Sequence, residues 1–214
     1  MSVDQSDFES LHNDRFHTKG ESTFFGLKKG KKNILLISPQ SEYTAADRSF
    51  MAPALGVIRL AGFMNEKGHY AESFEPNLPM LTKEGPFLED VLSNKEWDII
   101  GFSILEETFI QDIKNMQLAK KKCPKALIVA GGIEAQFNYQ NVLDKTPCKI
   151  VFISEGEKSL LALANDKPFN EIPGIVYKNS SVPLDQETFN LATSSIEWEK
   201  LPYEKYWDYY LKKY

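Results

Sequence analysis

The stretch Asn33-Ile34-Leu35-Leu36-Ile37-Ser38 holds four consecutive apolar residues between two small polar ones. A strand with one wet face alternates apolar and polar side chains. This run does not alternate, so it fits a strand covered on both faces, as in a parallel sheet packed between helices. Its surroundings test that reading. A polar loop follows from Pro39 to Phe50. Ala54 to Met64 then carries apolar residues at helical spacing and stops at Lys67-Gly68-His69, with glycine in the terminating position.

The same rhythm continues to residue 164. Tyr70–Phe74 reads as a weaker strand, Pro86–Leu92 as a short helix, and Trp97–Phe102 as a third strand. Glu107–Lys122 reads as a helix with apolar positions Ile110, Ile113, Met116 and Leu118, closed by Pro124. Ala126–Ala130 is a fourth strand ending in Gly131-Gly132, and Asn138–Leu143 a short helix. Lys149–Ile153 is a fifth strand, and Glu157–Ala164 the helix after it. Strand and helix alternate five times, which predicts a flavodoxin-like (Rossmann-like) doubly wound α/β fold. The expected sheet has five parallel strands in the order 2-1-3-4-5, with helices on both faces. In that order the crevice opens beyond the carboxyl ends of the first and third strands. The division expected is an extension over 1–30, the α/β domain over 31–178, and a linker or edge hairpin with an aromatic segment over 179–214.

Bulk properties narrow the function. The chain has 214 residues, 42% of them hydrophobic, and a formal net charge of −5. An acidic balance argues against a general nucleic-acid or anionic-membrane binder. The basic run Lys28-Lys29-Gly30-Lys31-Lys32 is expected to be a solvated flank. Cys123 and Cys148 lack CxxC spacing and a neighbouring histidine, so neither a disulfide framework nor a zinc site is expected. Both read as buried or half-buried thiols suited to a reducing cytoplasm. The start, MSVDQSDFES, is acidic and polar and does not resemble a signal peptide. No apolar run approaches the ~20 residues that cross a bilayer.

The expected crevice excludes several occupants. A receiver domain needs an aspartate at the end of the third strand, where this chain has Ser103. The loop after the first strand, Pro39-Gln40-Ser41-Glu42-Tyr43-Thr44, has hydroxyls but no glycine and carries an acid, which suits a flavin phosphate poorly. GxGxxG, GxxxxGK[ST] and GxSxG patterns are absent. What remains is Ser103 after the third strand and Gly131-Gly132 after the fourth, 28 residues further on. A hydroxyl beside bare backbone suits a long flat substituent lying against the sheet.

Here the sequence resembles a known family. Ser103-Ile104-Leu105 is similar to the SxL element of cobalamin-binding domains, and Gly131-Gly132 to their GG element. "APALGVIRLAGFMNEKGH", "WDIIGFS", "KIVFISEGEKSLLAL" and "EIPGIVYKN" resemble, in order, segments of the cobalamin-binding domains attached to radical SAM enzymes. The resemblance covers about residues 33 to 180. It implies a cobalamin held by its nucleotide tail, with Leu55, Gly56, Ser103, Leu105, Gly131, Gly132, Glu155 and Gly156 at the cofactor. The loop Pro39, Gln40, Ser41, Glu42 and Tyr43 would face the lower side of the corrin. The histidine of the DxHxxG loop is missing: His12, His17 and His69 all lie elsewhere. The resemblance then implies base-off cobalamin without a histidine ligand, a state that favours four-coordinate cobalt(I) as methyl acceptor. Ser154 also replaces the first glycine of the family's GEGE. Three cysteines spaced for an iron–sulfur cluster are absent from these 214 residues. S-adenosylmethionine and a four-iron cluster would therefore belong to a following C-terminal radical SAM domain or chain, and methyl transfer is the reaction implied. No catalytic residue and no metal ligand is expected in this chain.

Plainer readings of the same residues stay open. Ser103 suits a helix N-cap, Gly131-Gly132 an ordinary strand-to-helix turn, and Ser154-Glu155-Gly156-Glu157 a capping box. Gly56 suits close helix–sheet packing, Leu55 and Leu60 a core, and Glu106 and Glu107 a helix start. A cofactor-free domain for substrate docking or assembly, and a flavin or nucleotide binder, are the competing functions. Finally, "WEKLPYEKYWDYYLKKY" packs two tryptophans and five tyrosines into 17 residues. These aromatics either fold back on the domain or begin the interface with a following one, in which case the chain is the N-terminal part of a larger enzyme.

Overall fold

A computed structural model of the chain describes residues 30–41, 53–178, 180–183 and 202–213. Seven strands form one sheet in the order β2-β1-β3-β4-β5-β6-β7. They are β1 Asn33–Ile37, β2 Tyr70–Phe74, β3 Ile99–Ser103, β4 Leu127–Gly131, β5 Ile150–Phe152, β6 Ile175–Tyr177 and β7 Ser180–Val182. β1 to β5 pair in parallel in the expected order. The expectation of five strands is corrected by an antiparallel pair, β6 and β7, which adds to β5 and carries the sheet to Val182. The first strand of this pair, Ile175–Tyr177, lies before residue 179, where the expected linker or edge hairpin begins. Each of its strands has only three residues, too few for a period to stand out.

Eight α-helices are described: α1 Leu55–Glu66, α2 Asn77–Thr82, α3 Leu88–Ser93, α4 Phe109–Lys122, α5 Ile133–Phe137, α6 Tyr139–Lys145, α7 Gly156–Ala164 and α8 Tyr203–Lys213. α2 and α5 were not anticipated, being six and five residues long. α1 and α7 cover one face of the sheet through Val57, Ala61, Met64, Leu160 and Leu163. α3, α4 and α6 cover the other through Leu88, Leu92, Met116, Ala119 and Val142. The continuous apolar run of β1 serves both: Ile34 and Leu36 face the first layer, Leu35 and Ile37 the second, all essentially without solvent contact.

α8 settles part of the tail question. Tyr206 and Tyr210 fold back and pack on Leu78 of α2. Tyr203, Trp207 and Leu211, spaced by four, lie on the exposed side of the same helix.

The basic flank holds a correction. Lys31 is exposed, but Lys32 is fully buried at the amino edge of the sheet and ion-paired to Asp166 at 2.9 Å. Its own backbone N–H faces His69 Nδ1 at 3.3 Å, and burial lowers the His69 pKa. A lysine next to a strand reaches the interior because a carboxylate waits there, and charge counting along the chain does not reveal the partner. Replacing Asp166 by alanine is expected to cost roughly 3 kcal/mol, whereas Lys32→Met, which removes the charge and keeps the volume, should cost far less. Urea denaturation of the two variants distinguishes these outcomes.

Candidate functional site

On β3 and β4 alternate residues face the α1–α7 layer: Ile99, Gly101 and Ser103 on one strand, and Leu127, Val129 and Gly131 on the other. Ser103 and Gly131 are direct partners across the ladder. On both strands the residues nearest the carboxyl edge are small: Gly101 and Ser103 on β3, and Gly131 on β4. Sheet and helices part there, and a cavity of about 350 Å³ opens between them. Ser103, Gly131 and Gly132 form its floor; Ala54, Gly56, Val57 and Leu60 form one wall, and Ser154, Glu155, Gly156 and Leu160 another. Pro39 and Leu105 border the mouth. No lysine or arginine lines the cavity among the described residues, and Glu155 is its one carboxylate.

The glycines have different jobs. A Cβ on Gly131 would meet nothing closer than Phe152 Cβ at 3.9 Å, an ordinary contact, so that side of Gly131 is room for something else. Gly132 has φ +92° and caps α5, and a Cβ there would lie 2.6 Å from the Ile104 carbonyl oxygen and 3.1 Å from Ser103 Oγ. Its glycine is needed by the fold itself. At Gly101 the missing side chain is replaced by Leu36, whose Cδ2 would be 2.8 Å from a Cβ.

Of the residues singled out in the sequence, Pro39, Gly56, Ser103, Leu105, Gly131, Gly132, Glu155 and Gly156 meet at this one cavity. Gln40 and Ser41 sit beside it but do not line it. Leu55 is 48% exposed and lies outside the lining, so it is neither core nor wall. Glu42 and Tyr43 lie outside the described residues. Sequence reasoning passed over Ala54, Val57, Gly101 and Gln136 as lining, took Leu60 for core, and took Ser154 for a departure from GEGE and the start of a capping box. Two of these had a signal: Gly101 precedes Ser103 by one strand period, and Leu60 follows Gly56 by one helical turn.

Several plainer readings are overturned. Ser103 ends β3 and caps no helix. Ser154 donates to the Glu155 carbonyl, Glu155 is the residue that caps α7, and no side-chain cap bond forms. Glu157 is instead buried and paired with Arg59 of α1 at 3.2 Å, which ties the two walls together. Gly56 leaves open space rather than permitting a close approach.

α4 brings a second set of polar residues to the site. Its buried face is Asp112, Asn115, Met116 and Ala119, while Ile110 is 60% exposed, so the apolar stripe expected from Ile110 and Ile113 is rotated away from the core. Asp112 Oδ1 accepts the Gln40 N–H at 3.1 Å and its Oδ2 accepts the Thr108 hydroxyl at 2.6 Å. Asn115 Nδ2 donates to Gln40 Oε1 at 2.6 Å. Burial pushes the Asp112 carboxyl up to about 7, against the pull of its two hydrogen bonds. The visible clue was two polar residues at i, i+3 on the stripe that continues to Met116 and Ala119.

Residues 44–164 match the family model described as the B12 binding domain. The anaerobic magnesium-protoporphyrin IX monomethyl ester cyclase of Rubrivivax gelatinosus is 26% identical over 188 residues, 81% of this chain and 33% of that protein. The protein of the same name from Synechocystis sp. (strain ATCC 27184 / PCC 6803 / Kazusa) is 24% identical over 72% of this chain and 33% of its own length. The chain thus spans a third of the length of these curated relatives. Among solved structures, the cobalamin-dependent S-adenosylmethionine radical enzyme OxsB with aqua-cobalamin bound superposes with a TM-score of 0.60 at 15% identity, over 84% of this chain and 25% of that one. The radical S-adenosylmethionine methyltransferase TsrM from Kitasatospora setae, with cobalamin and a 4Fe-4S cluster bound, gives 0.58 at 16% identity, over 72% and 29%. At such identities these two establish a shared fold.

Two outcomes follow from the geometry. Gly131→Val should melt close to the parent, because its side chain enters the cavity, whereas Gly132→Val should lose on the order of 2 kcal/mol or more to strain and contact with Ile104; thermal denaturation compares them. Asp112 binds its proton more tightly in the folded chain than in the unfolded one, where a carboxyl titrates near ~3.9. Its contribution to stability is therefore complete below that value and is lost as pH rises through about 7. Asp112→Asn, which keeps an acceptor and carries no charge, should gain on the parent by roughly 1–2 kcal/mol at pH 8 and show little difference near pH 4.

Proposed function

The chain belongs to the B12 binding domain family, and from that premise we propose that it holds base-off cobalamin by its nucleotide tail in the cavity between β3, β4, α1 and α7. The observation that carries this reading is the vacant side of Gly131 beside its ladder partner Ser103. That cradle fits a flat heterocycle: bare backbone lets the ring lie against the strand, and the Ser103 hydroxyl is placed at its edge. The walls from Val57 and Leu60 are apolar and keep water from the ring faces. Cobalamin, when bound, supplies a cobalt centre able to accept and release a methyl group.

In this reading the corrin rests at the carboxyl edge of the sheet, over Pro39 to Ser41. That loop runs from Pro39 to Phe50 without a histidine, which supports a base-off cofactor lacking a histidine ligand. The names of the relatives support a place as the cobalamin-binding part of a radical SAM enzyme, with methyl transfer as its reaction. S-adenosylmethionine and the four-iron cluster would then belong to a second domain or chain. Among the described residues no cluster of three or more histidines, cysteines or carboxylates could hold a metal, and no helix is long and apolar enough to cross a membrane. The cytoplasm is the proposed setting.

Titration of the full chain with hydroxocobalamin, followed in the visible spectrum, tests the reading. A saturable change to a base-off spectrum is expected, with affinity lowered at least roughly tenfold in Gly131→Val and Ser103→Tyr. An unchanged spectrum across the titration overturns it. A yellow chromophore copurifying with the chain would favour the flavin alternative instead.

A further inference from the structure

The loop after β1 is held more firmly than its exposure requires. Pro39, Gln40 and Ser41 leave a buried strand for the mouth of the cavity, and side chains of α2 and α4 grip them. Asn77, the first residue of α2, is buried. Its Nδ2 donates to the Pro39 carbonyl at 2.9 Å and to Glu75 Oε1 at 2.9 Å, and its Oδ1 accepts the Ser41 N–H at 2.9 Å. One carboxamide thus spans both ends of the tripeptide. From the opposite side Asp112 and Asn115 hold the Gln40 N–H and side chain.

The amide can point only one way. Reversed, its oxygen would face the Pro39 carbonyl and the Glu75 carboxylate, two acceptors with no proton to share. Glu75 also accepts the Asn77 backbone N–H at 3.2 Å, so the same carboxylate seats the residue and orients its side chain. Burial raises the Glu75 pKa while the bonds from Asn77 work to keep it charged. A carboxylate is not sunk beside a loop without a use for its acceptors.

We propose that Asn77 is a positioning residue for cofactor binding: oriented by Glu75, it fixes Pro39 and Ser41 so that this tripeptide meets the ligand already in place. The inference rests on the cobalamin reading above and extends it to a residue that lines no part of the cavity. Binding then needs no ordering of Pro39 to Ser41, which would otherwise subtract from affinity.

The test uses the full chain with Asn77→Leu, which keeps shape and removes all three bonds, and Glu75→Gln, which keeps an oxygen for the Asn77 amide. Amide hydrogen exchange at Gln40 and Ser41 is measured without cofactor, and hydroxocobalamin affinity by visible titration. Asn77→Leu should speed exchange at both amides and weaken binding about fivefold or more, while Glu75→Gln stays near the parent in both. Asp112→Ala, which frees Gln40 from the other side, should move both readouts the same way and stands in if Asn77→Leu folds poorly. Unchanged exchange at Ser41 in Asn77→Leu overturns the inference whether or not cobalamin binds. Faster exchange with parental affinity overturns the positioning role while leaving the cobalamin reading intact. A parent that binds no hydroxocobalamin overturns that reading, and this inference with it.

Discussion

The parallel pairing of β1 with β3 is the constraint on which the molecule depends. Ile34, Leu35, Leu36 and Ile37 register with Ile99, Ile100, Gly101 and Phe102, while the other side of β1 pairs with β2. From β1 the chain crosses over one face through α1. From β3 it crosses the other through α4. Two crossovers of the same hand running in opposite directions leave the carboxyl ends of β1 and β3 uncovered by either. Everything assigned to the site stands at or next to that gap: the Pro39 loop, Ser103, the Gly131 floor, and the helix starts that form the walls.

The gap is bounded by polar contacts that reach it from several elements. Arg59 and Glu157 join α1 and the start of α7, the two walls, through one ion pair. Asn77, Asp112 and Asn115 join the β1 loop to α2 and α4. α8 adds a layer outside α2, with Tyr206 and Tyr210 inward and Tyr203, Trp207 and Leu211 outward. A carrier that offers a large cofactor to chemistry elsewhere gains from such bracing, since each mobile wall would spread the cofactor over more orientations.

The parallel core was legible because a strand buried on both faces leaves a mark that needs no partner to interpret. Ile34 to Ile37 and Leu127 to Ala130 could hardly be anything else. The cavity was half legible. Ser103 and Gly131 stood out by chemistry, whereas Val57 and Leu60 look like any helix interior, and their role depends on how far α1 stands from the sheet. Least legible were polar residues whose partners are distant in sequence. Lys32 read as solvated because Asp166 is 134 positions away. Glu157 read as a cap because Arg59 is on another helix. Asn77 and Asp112 drew no reading, because the residues they hold, Pro39, Gln40 and Ser41, belong to a loop that declares nothing. Local rules describe a residue's own backbone, and these side chains answer to someone else's.

Gly131 has one more consequence, and it concerns inheritance rather than packing. The floor of the cavity is defined by atoms that are not there, on a strand that would tolerate them. Any glycine codon becomes alanine or valine by a single base change, and at this position the fold would register little. In the proposed site, loss of the ligand and loss of the fold are thus separately mutable, and the first is the cheaper accident. On that proposal a lineage built on this scaffold can shed its cofactor in one step and keep a folded domain, free to be selected for other surfaces. Descendants with a blocked floor and an intact sheet are the expected record of that history, and the residue aligned with Gly131 is where to look for it.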